Sequence, residues 1–144
     1  MTTTAIKPTT TFWVIAVVAL LWNIIGVAAY IMQVTMTPEA IAALPVEQQS
    51  VYTSMPAWAT SAFALSVWGS LFGTILLLLR KKLAGPILVA SFAAIIVDMY
   101  YTFFISPMLE VSGASGAILP VAIIIIGAYM IFFTRNAAAK GWLS

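Results

Sequence analysis

Four apolar runs, each at least about 18 residues long, constrain this fold more than any other feature, because that is the length at which a helix crosses a bilayer. Backbone polar groups find no partner in hydrocarbon, so such runs cross a membrane as α-helices. Of 144 residues, 63% are hydrophobic and 7% are charged, whereas soluble domains carry about a quarter charged residues. We predict one all-α domain over 1–144, a four-transmembrane-helix bundle with helices at 12–32, 57–79, 86–105 and 117–134.

The charged residues outside the runs divide by sign. The six basic residues precede the first run, separate the second from the third, or follow the fourth: Lys7, Arg80, Lys81, Lys82, Arg135 and Lys140. The other two connections carry only acids: Glu39, Glu47 and Glu110. Cytoplasmic connections of membrane proteins are enriched in Lys and Arg, so this pattern predicts that both termini are cytoplasmic. The first run is too long for the apolar core of a signal peptide, about 7–15 residues, and is predicted to be the first helix.

The connection between the first two runs contains two helix-start signals. Thr37-Pro38-Glu39 offers an N-cap, a proline in the first turn and an acid near the helix N-terminus. Pro45-Val46-Glu47 repeats the proline and the acid. We therefore predict two short amphipathic helices within 37–55 that cap the outer face.

Asp98 is the one charged residue inside the apolar runs. It lies about 20 Å along the third helix from the basic side, within the hydrocarbon. An ionised carboxylate there costs a few kcal/mol, and such residues often mark a proton, ion or solute site. The alternatives are a hydrogen bond that joins two helices and a contact with a partner subunit. No Lys, Arg or His lies in the runs, so we expect the carboxyl to be protonated at rest.

Other polar side chains lie at depths that suit a site around Asp98. Ser66 on the second helix is predicted to be level with it, and Asn23 on the first helix to lie a little deeper. Tyr101 is one turn away on the same helix. If Asn23, Ser66 and Asp98 converge, they form a small polar pocket that opens outward.

Two tryptophans and a row of small residues complete the candidates. Trp22 and Trp68 are predicted to lie near the midplane, either buried in the bundle or forming an aromatic wall for a ligand. On the second helix, Gly69, Ser70 and Gly73 permit close helix approach, either within this chain or in a dimer.

The sequence offers little for other chemistry. It has neither Cys nor His, and it shows no phosphate-binding loop, catalytic triad or cluster of metal ligands. We predict no cofactor, no metal, no catalytic residues and no enzyme activity. The few basic residues flank the apolar runs, so the expected partner is the lipid bilayer rather than a nucleic acid.

Several short segments resemble a group of small bacterial four-helix membrane proteins of undefined activity. The segments are Leu21-Trp22-Asn23 with Gly26 and Tyr30, Thr37-Pro38-Glu39, Pro56-Ala57-Trp58, Arg80-Lys81-Lys82, Phe103-Phe104-Ile105-Ser106 and Lys140-Gly141-Trp142-Leu143. Some members of the group are labelled sugar transporters, and in size and helix count the chain is similar to DoxX-like proteins. The resemblance implies a multi-pass protein of the bacterial inner membrane. Small multidrug transporters differ, since they keep a membrane Glu in the first helix, where this chain has Asn23.

Two functions remain open from the sequence. The first is transport or binding of a small solute by a homo-oligomer that uses Asp98, since four helices are few for alternating access. The second is a non-catalytic accessory subunit that packs against a larger membrane complex. The small number of polar residues within the runs favours the accessory function, and the resemblance favours transport.

Overall fold

A computed structural model describes residues 7–144, apart from the side chains of residues 108 and 112, and that part of the chain is helical without a β-strand. The helices, in order, are α1 (Thr10–Val34), α2 (Pro38–Ala42), α3 (Val46–Thr53), α4 (Ala57–Leu78), α5 (Ala84–Phe104), α6 (Met108–Ser112), a 3-10 turn (Ala114–Ala117) and α7 (Ile118–Ala139). Helices α1, α4, α5 and α7 are long and apolar enough to cross a membrane. The predicted all-α class and the four long helices are therefore confirmed, and the chain is a multi-pass membrane protein.

The ends of the long helices differ from the predicted ends for local reasons. Helix α7 continues to Ala139 rather than ending at Thr134, because the residues after Arg135 include three alanines, the best helix formers. Helix α5 begins before Pro86, which is tolerated in a first turn whose N–H groups have no helical partner. Helix α1 begins at Thr10, and the Thr9 hydroxyl caps it by accepting a hydrogen bond from the Phe12 amide.

The four long helices form a row in which α4 packs against both α1 and α5, and α5 packs against α7. The α4–α5 contact is close because glycines lie within it. A Cβ on Gly69 would collide with the Ser91 side chain, and a Cβ on Gly73 would lie 2.6 Å from a methyl carbon of Leu88. Small residues at this spacing let two helix backbones approach closely. Gly69 and Gly73 are thus covered by α5 of the same chain.

Helices α1 and α7, the first and last of the row, come together at one end of the bundle. The Phe12 and Phe133 rings stack there with centroids 5.6 Å apart, and both belong to a buried apolar cluster with Met130 and Ala137. Leu143 from the C-terminal segment is buried in the same cluster. This packing closes the bundle at that end.

The charged residues mark the two ends of the bundle. We call the end with the α4–α5 turn and the α7 C-terminus the basic end, and it carries Arg80, Lys81, Lys82, Arg135 and Lys140. We call the opposite end, with α2, α3 and α6, the acidic end, and it carries Glu39, Glu47 and Glu110. At the acidic end α3 contacts α6. At the basic end the Arg80 Nε donates a hydrogen bond of 2.9 Å to the Trp142 carbonyl, which ties the C-terminal segment to the α4–α5 turn.

Candidate intramembrane binding site

A cavity of about 220 Å³ lies inside the bundle, and all four long helices contribute to its wall. Most of the lining is aliphatic or aromatic. The side chains with polar atoms that line it are Trp22, Asn23, Ser66, Ser70, Thr74 and Asp98. One water molecule occupies about 30 Å³ in the liquid, so the cavity is far larger than an ordinary packing gap.

Asp98 lies on the face of α5 that turns toward the other helices. Ser91, Ile95 and Asp98 are all buried and follow one another at spacings of four and three residues, which is one face of a helix. Asp98 is 9% exposed, and it lines the cavity about 21 Å along α5 from Ala84. Within residues 7–144 its carboxyl has no hydrogen-bond partner, and no Lys or Arg lines the cavity.

Asn23 faces the same cavity, but its hydrogen bonds go to α4. Its side-chain amide donates to the Thr74 hydroxyl at 2.7 Å and to the Ser70 carbonyl at 3.3 Å. Thr74 lies eight residues beyond Ser66 on α4, about 12 Å nearer the basic end. Asn23 therefore marks one end of the cavity.

Ser66 shares the cavity with Asp98, and its hydroxyl donates to the Phe63 carbonyl of its own helix at 2.7 Å. The Ser66 hydroxyl and the Asn23 amide nitrogen are thus bonded to helix α4, while the Asp98 carboxyl makes no hydrogen bond to a described residue. Asn23, Ser66 and Asp98 line one cavity but are spread along it, and the described hydrogen bonds do not join them.

The two other aromatic candidates lie outside the cavity lining. Tyr101 is almost completely buried, and its ring meets Trp58 edge-on with centroids 5.6 Å apart. Trp68 is 37% exposed. It follows Ser66 by two residues, which is about 200° around the helix, so it cannot share the Ser66 face. Of the two midplane tryptophans, only Trp22 lines the cavity.

Two residues of the site, Thr74 and Gly127, were not among the candidates predicted from the sequence. Thr74 is fully buried and accepts the Asn23 hydrogen bond. Its signal was present, because Ser66, Ser70 and Thr74 recur at intervals of four residues on one face of α4. No pattern in the sequence pointed to Gly127. It matters because it has no side chain, since a Cβ there would lie 2.8 Å from the Phe92 ring.

The cavity is open on one side, between α1 and α7. Ile25 of α1 and Leu119 of α7 both line it, yet they are 65% and 56% exposed. These residues lie toward the acidic end, whereas Phe12 and Phe133 bring the same two helices together at the basic end. The opening faces the surroundings of the bundle, which in a membrane are lipid chains.

Across residues 7–144 there is no group of three His, Cys, Asp or Glu side chains that could hold a metal ion. No protein-family model matches the sequence, and neither a curated protein nor a solved structure is significantly similar to it. The function is therefore argued from the cavity itself.

Proposed function

We propose that this protein binds a small, largely apolar solute inside the membrane, with Asp98 as the polar group that orients it. The observation that carries the proposal is the unpartnered carboxyl of Asp98 in the wall of an apolar cavity built by all four long helices. Ligand sites in proteins commonly combine an apolar lining with a few placed polar groups. A carboxyl kept only for stability would be expected to bond to a neighbouring helix.

The lining favours an apolar solute over a sugar. A sugar carries many hydroxyls, and each one buried without a partner is costly. The Asn23 amide nitrogen and the Ser66 hydroxyl donate to α4, so the polar groups left in the lining besides Asp98 are few, among them the Ser70 hydroxyl and the Trp22 indole N–H. The sugar-transporter label attached to some of the resembling proteins therefore fits this cavity poorly.

The proposed location is the bacterial inner membrane, with the basic end and both termini in the cytoplasm. The separation of basic from acidic residues at opposite ends supports this orientation. Helices α2 and α3 then cap the outer face, and Asp98 lies in the outer half of the membrane, six residues or about 9 Å before the end of α5 at Phe104.

Thiol labelling tests the orientation, because the chain has no cysteine of its own. In Gln48→Cys the thiol is expected to react with an impermeant reagent added to intact cells. In Ala139→Cys it is expected to react only after the cells are opened. The reverse pattern would invert the proposed topology.

Transport of the solute would require a homo-oligomer, because four helices are few for a protein with alternating access. The alternative function is an accessory subunit of a larger membrane complex. Its support is the apolar surface of α1, where residues such as Val18, Ile25 and Met32 are exposed, although lipid covers such a surface equally well. Native mass measurement in mild detergent separates one chain, several copies and a complex with other proteins.

Filling the cavity tests the binding proposal. Ile123 of α7 lines the cavity, whereas Ile125 on the same helix is exposed on the outside. Small apolar compounds are expected to raise the melting temperature of the unmodified protein and of Ile125→Trp, but not of Ile123→Trp, whose indole occupies the cavity. Equal responses of the two variants would remove the cavity as the binding site.

A further inference from the structure

We infer that the ligand of the cavity is a monovalent organic cation with an apolar body, held by the Asp98 carboxylate. This inference rests on the proposed function and names its substrate class. Asp98 is the only ionisable side chain that lines the cavity in the described part of the chain. A cation is the one ligand charge that this lining can neutralise.

Charge balance is the first argument for a cation. An ionised carboxylate in hydrocarbon without a partner is costly, so Asp98 is either protonated or paired. Attraction between opposite charges strengthens as the surrounding dielectric falls. A cation beside Asp98 therefore gains much in this cavity, an anion would be repelled, and a neutral molecule would gain at most a hydrogen bond.

The other lining residues suit a weakly hydrated cation. Trp22, Phe63 and Phe92 contribute aromatic rings to the wall. The faces of such rings attract cations, and quaternary ammonium groups are recognised in this way. A quaternary ammonium also carries no N–H, so it leaves no donor without an acceptor in an apolar cavity.

The shape of the cavity limits the size of the cation and suggests its route. Along α4 the lining extends from Phe63 to Thr74, about 16–17 Å, so a head group at Asp98 leaves room for one short apolar body. The gap beside Ile25 and Leu119 opens toward lipid chains, where an amphipathic cation already concentrates.

Two probes of the same shape test the charge requirement. Benzyltrimethylammonium carries one positive charge, and neopentylbenzene replaces its nitrogen by carbon and is neutral. Binding of each to the purified protein in detergent is measured by equilibrium dialysis, with Ile123→Trp as the correction for uptake by micelles. We expect the cation to bind at least about tenfold more tightly than the neutral probe.

Variants assign the difference to Asp98. Asp98→Asn keeps the size of the side chain and removes its charge, so cation affinity is expected to fall at least about tenfold while binding of the neutral probe is unchanged. Glu110→Gln removes the same charge from an exposed position at the acidic end and is expected to change neither. An equal loss in both variants would show a general charge effect and overturn the inference.

The outcomes separate the two proposals. If the neutral probe binds the unmodified protein at least as tightly as the cation, the cation inference is overturned and the apolar cavity proposal stands. If neither probe binds, both are overturned. The comparison of the two probes on the unmodified protein decides the matter even if Asp98→Asn fails to fold.

Discussion

The same four helices form a packed apolar cluster at the basic end and, farther along the bundle, surround a cavity. At the basic end, Phe12, Phe133 and Leu143 fill the space between α1, α7 and the C-terminal segment. Toward the acidic end, α1 and α7 separate, and the space holds a cavity lined by Asp98. The difference teaches that fold stability and ligand binding can be assigned to separate regions of a small bundle, and substitutions in the packed cluster and at the cavity should behave differently.

The largest effect is expected where the basic end is packed. Phe133→Ala removes a buried ring that stacks on Phe12, and truncation of a buried Phe leaves a cavity that costs about 3 kcal/mol or more. Its neighbour Phe132 is 62% exposed, and Phe132→Ala should change stability by less than about 0.5 kcal/mol. Unfolding by SDS in mixed micelles measures both. Equal stability of the two variants would show that the Phe12–Phe133 cluster does not stabilise the fold.

A second contrast uses one substitution at two glycines. In Gly73→Leu the new side chain meets Leu88 inside the α4–α5 contact, and overpacking there should destabilise the protein by about 2 kcal/mol. In Gly26→Leu the Cβ meets only Val67 at an ordinary 3.6 Å, and the rest of the side chain enters the cavity. Gly26→Leu should therefore be nearly neutral in SDS unfolding while it lowers ligand binding. A large loss of stability in Gly26→Leu would mean that the cavity is filled in the native protein.

The hydrogen bonds of Asn23 join α1 to α4 at the end of the cavity nearer the basic end, and their loss should have a moderate effect. Asn23→Leu removes the bond to Thr74, and hydrogen bonds between membrane helices contribute about 1 kcal/mol. Thr74→Val removes the acceptor with little change of shape. The double variant should be no less stable than Asn23→Leu alone, since both substitutions remove the Asn23–Thr74 bond and Asn23→Leu already removes the bond to the Ser70 carbonyl as well. Additive losses would show that the two side chains do not interact.

The sequence predicted the parts of this architecture that follow from local pattern. The four apolar runs specified the long helices, and the isolated carboxylate marked Asp98. Helical spacing could also have separated Ser66 from Trp68 and joined Thr74 to Ser66, but it was applied to neither pair. These inferences need only the length of a run, the residue type and the position around one helix.

The cavity could not be predicted, because it depends on which helices are neighbours and where they separate. In water, apolar periodicity distinguishes the buried face of a helix from the exposed face. In a membrane both faces are apolar, so Ile123, which lines the cavity, and Ile125, which lies outside, look alike in the sequence. The possible convergence of Asn23 with Asp98 was inferred from their depths along two helices. Depth does not show which neighbouring helix a side chain contacts, so it could not reveal that Asn23 bonds to Thr74.

The smallest expected effect on stability is at Asp98, and it distinguishes the cavity from the packed cluster most clearly. Its carboxyl makes no hydrogen bond to any described residue, so Asp98→Leu should leave stability within about 0.5 kcal/mol of the unmodified protein, or raise it. Val97→Leu, on the exposed side of α5, serves as the control for a changed side chain at that depth. A carboxyl that joins two helices would instead cost about 1–2 kcal/mol when replaced. Such a loss in SDS unfolding, with cation binding unaffected, would make Asp98 a structural residue rather than the polar group of the binding site.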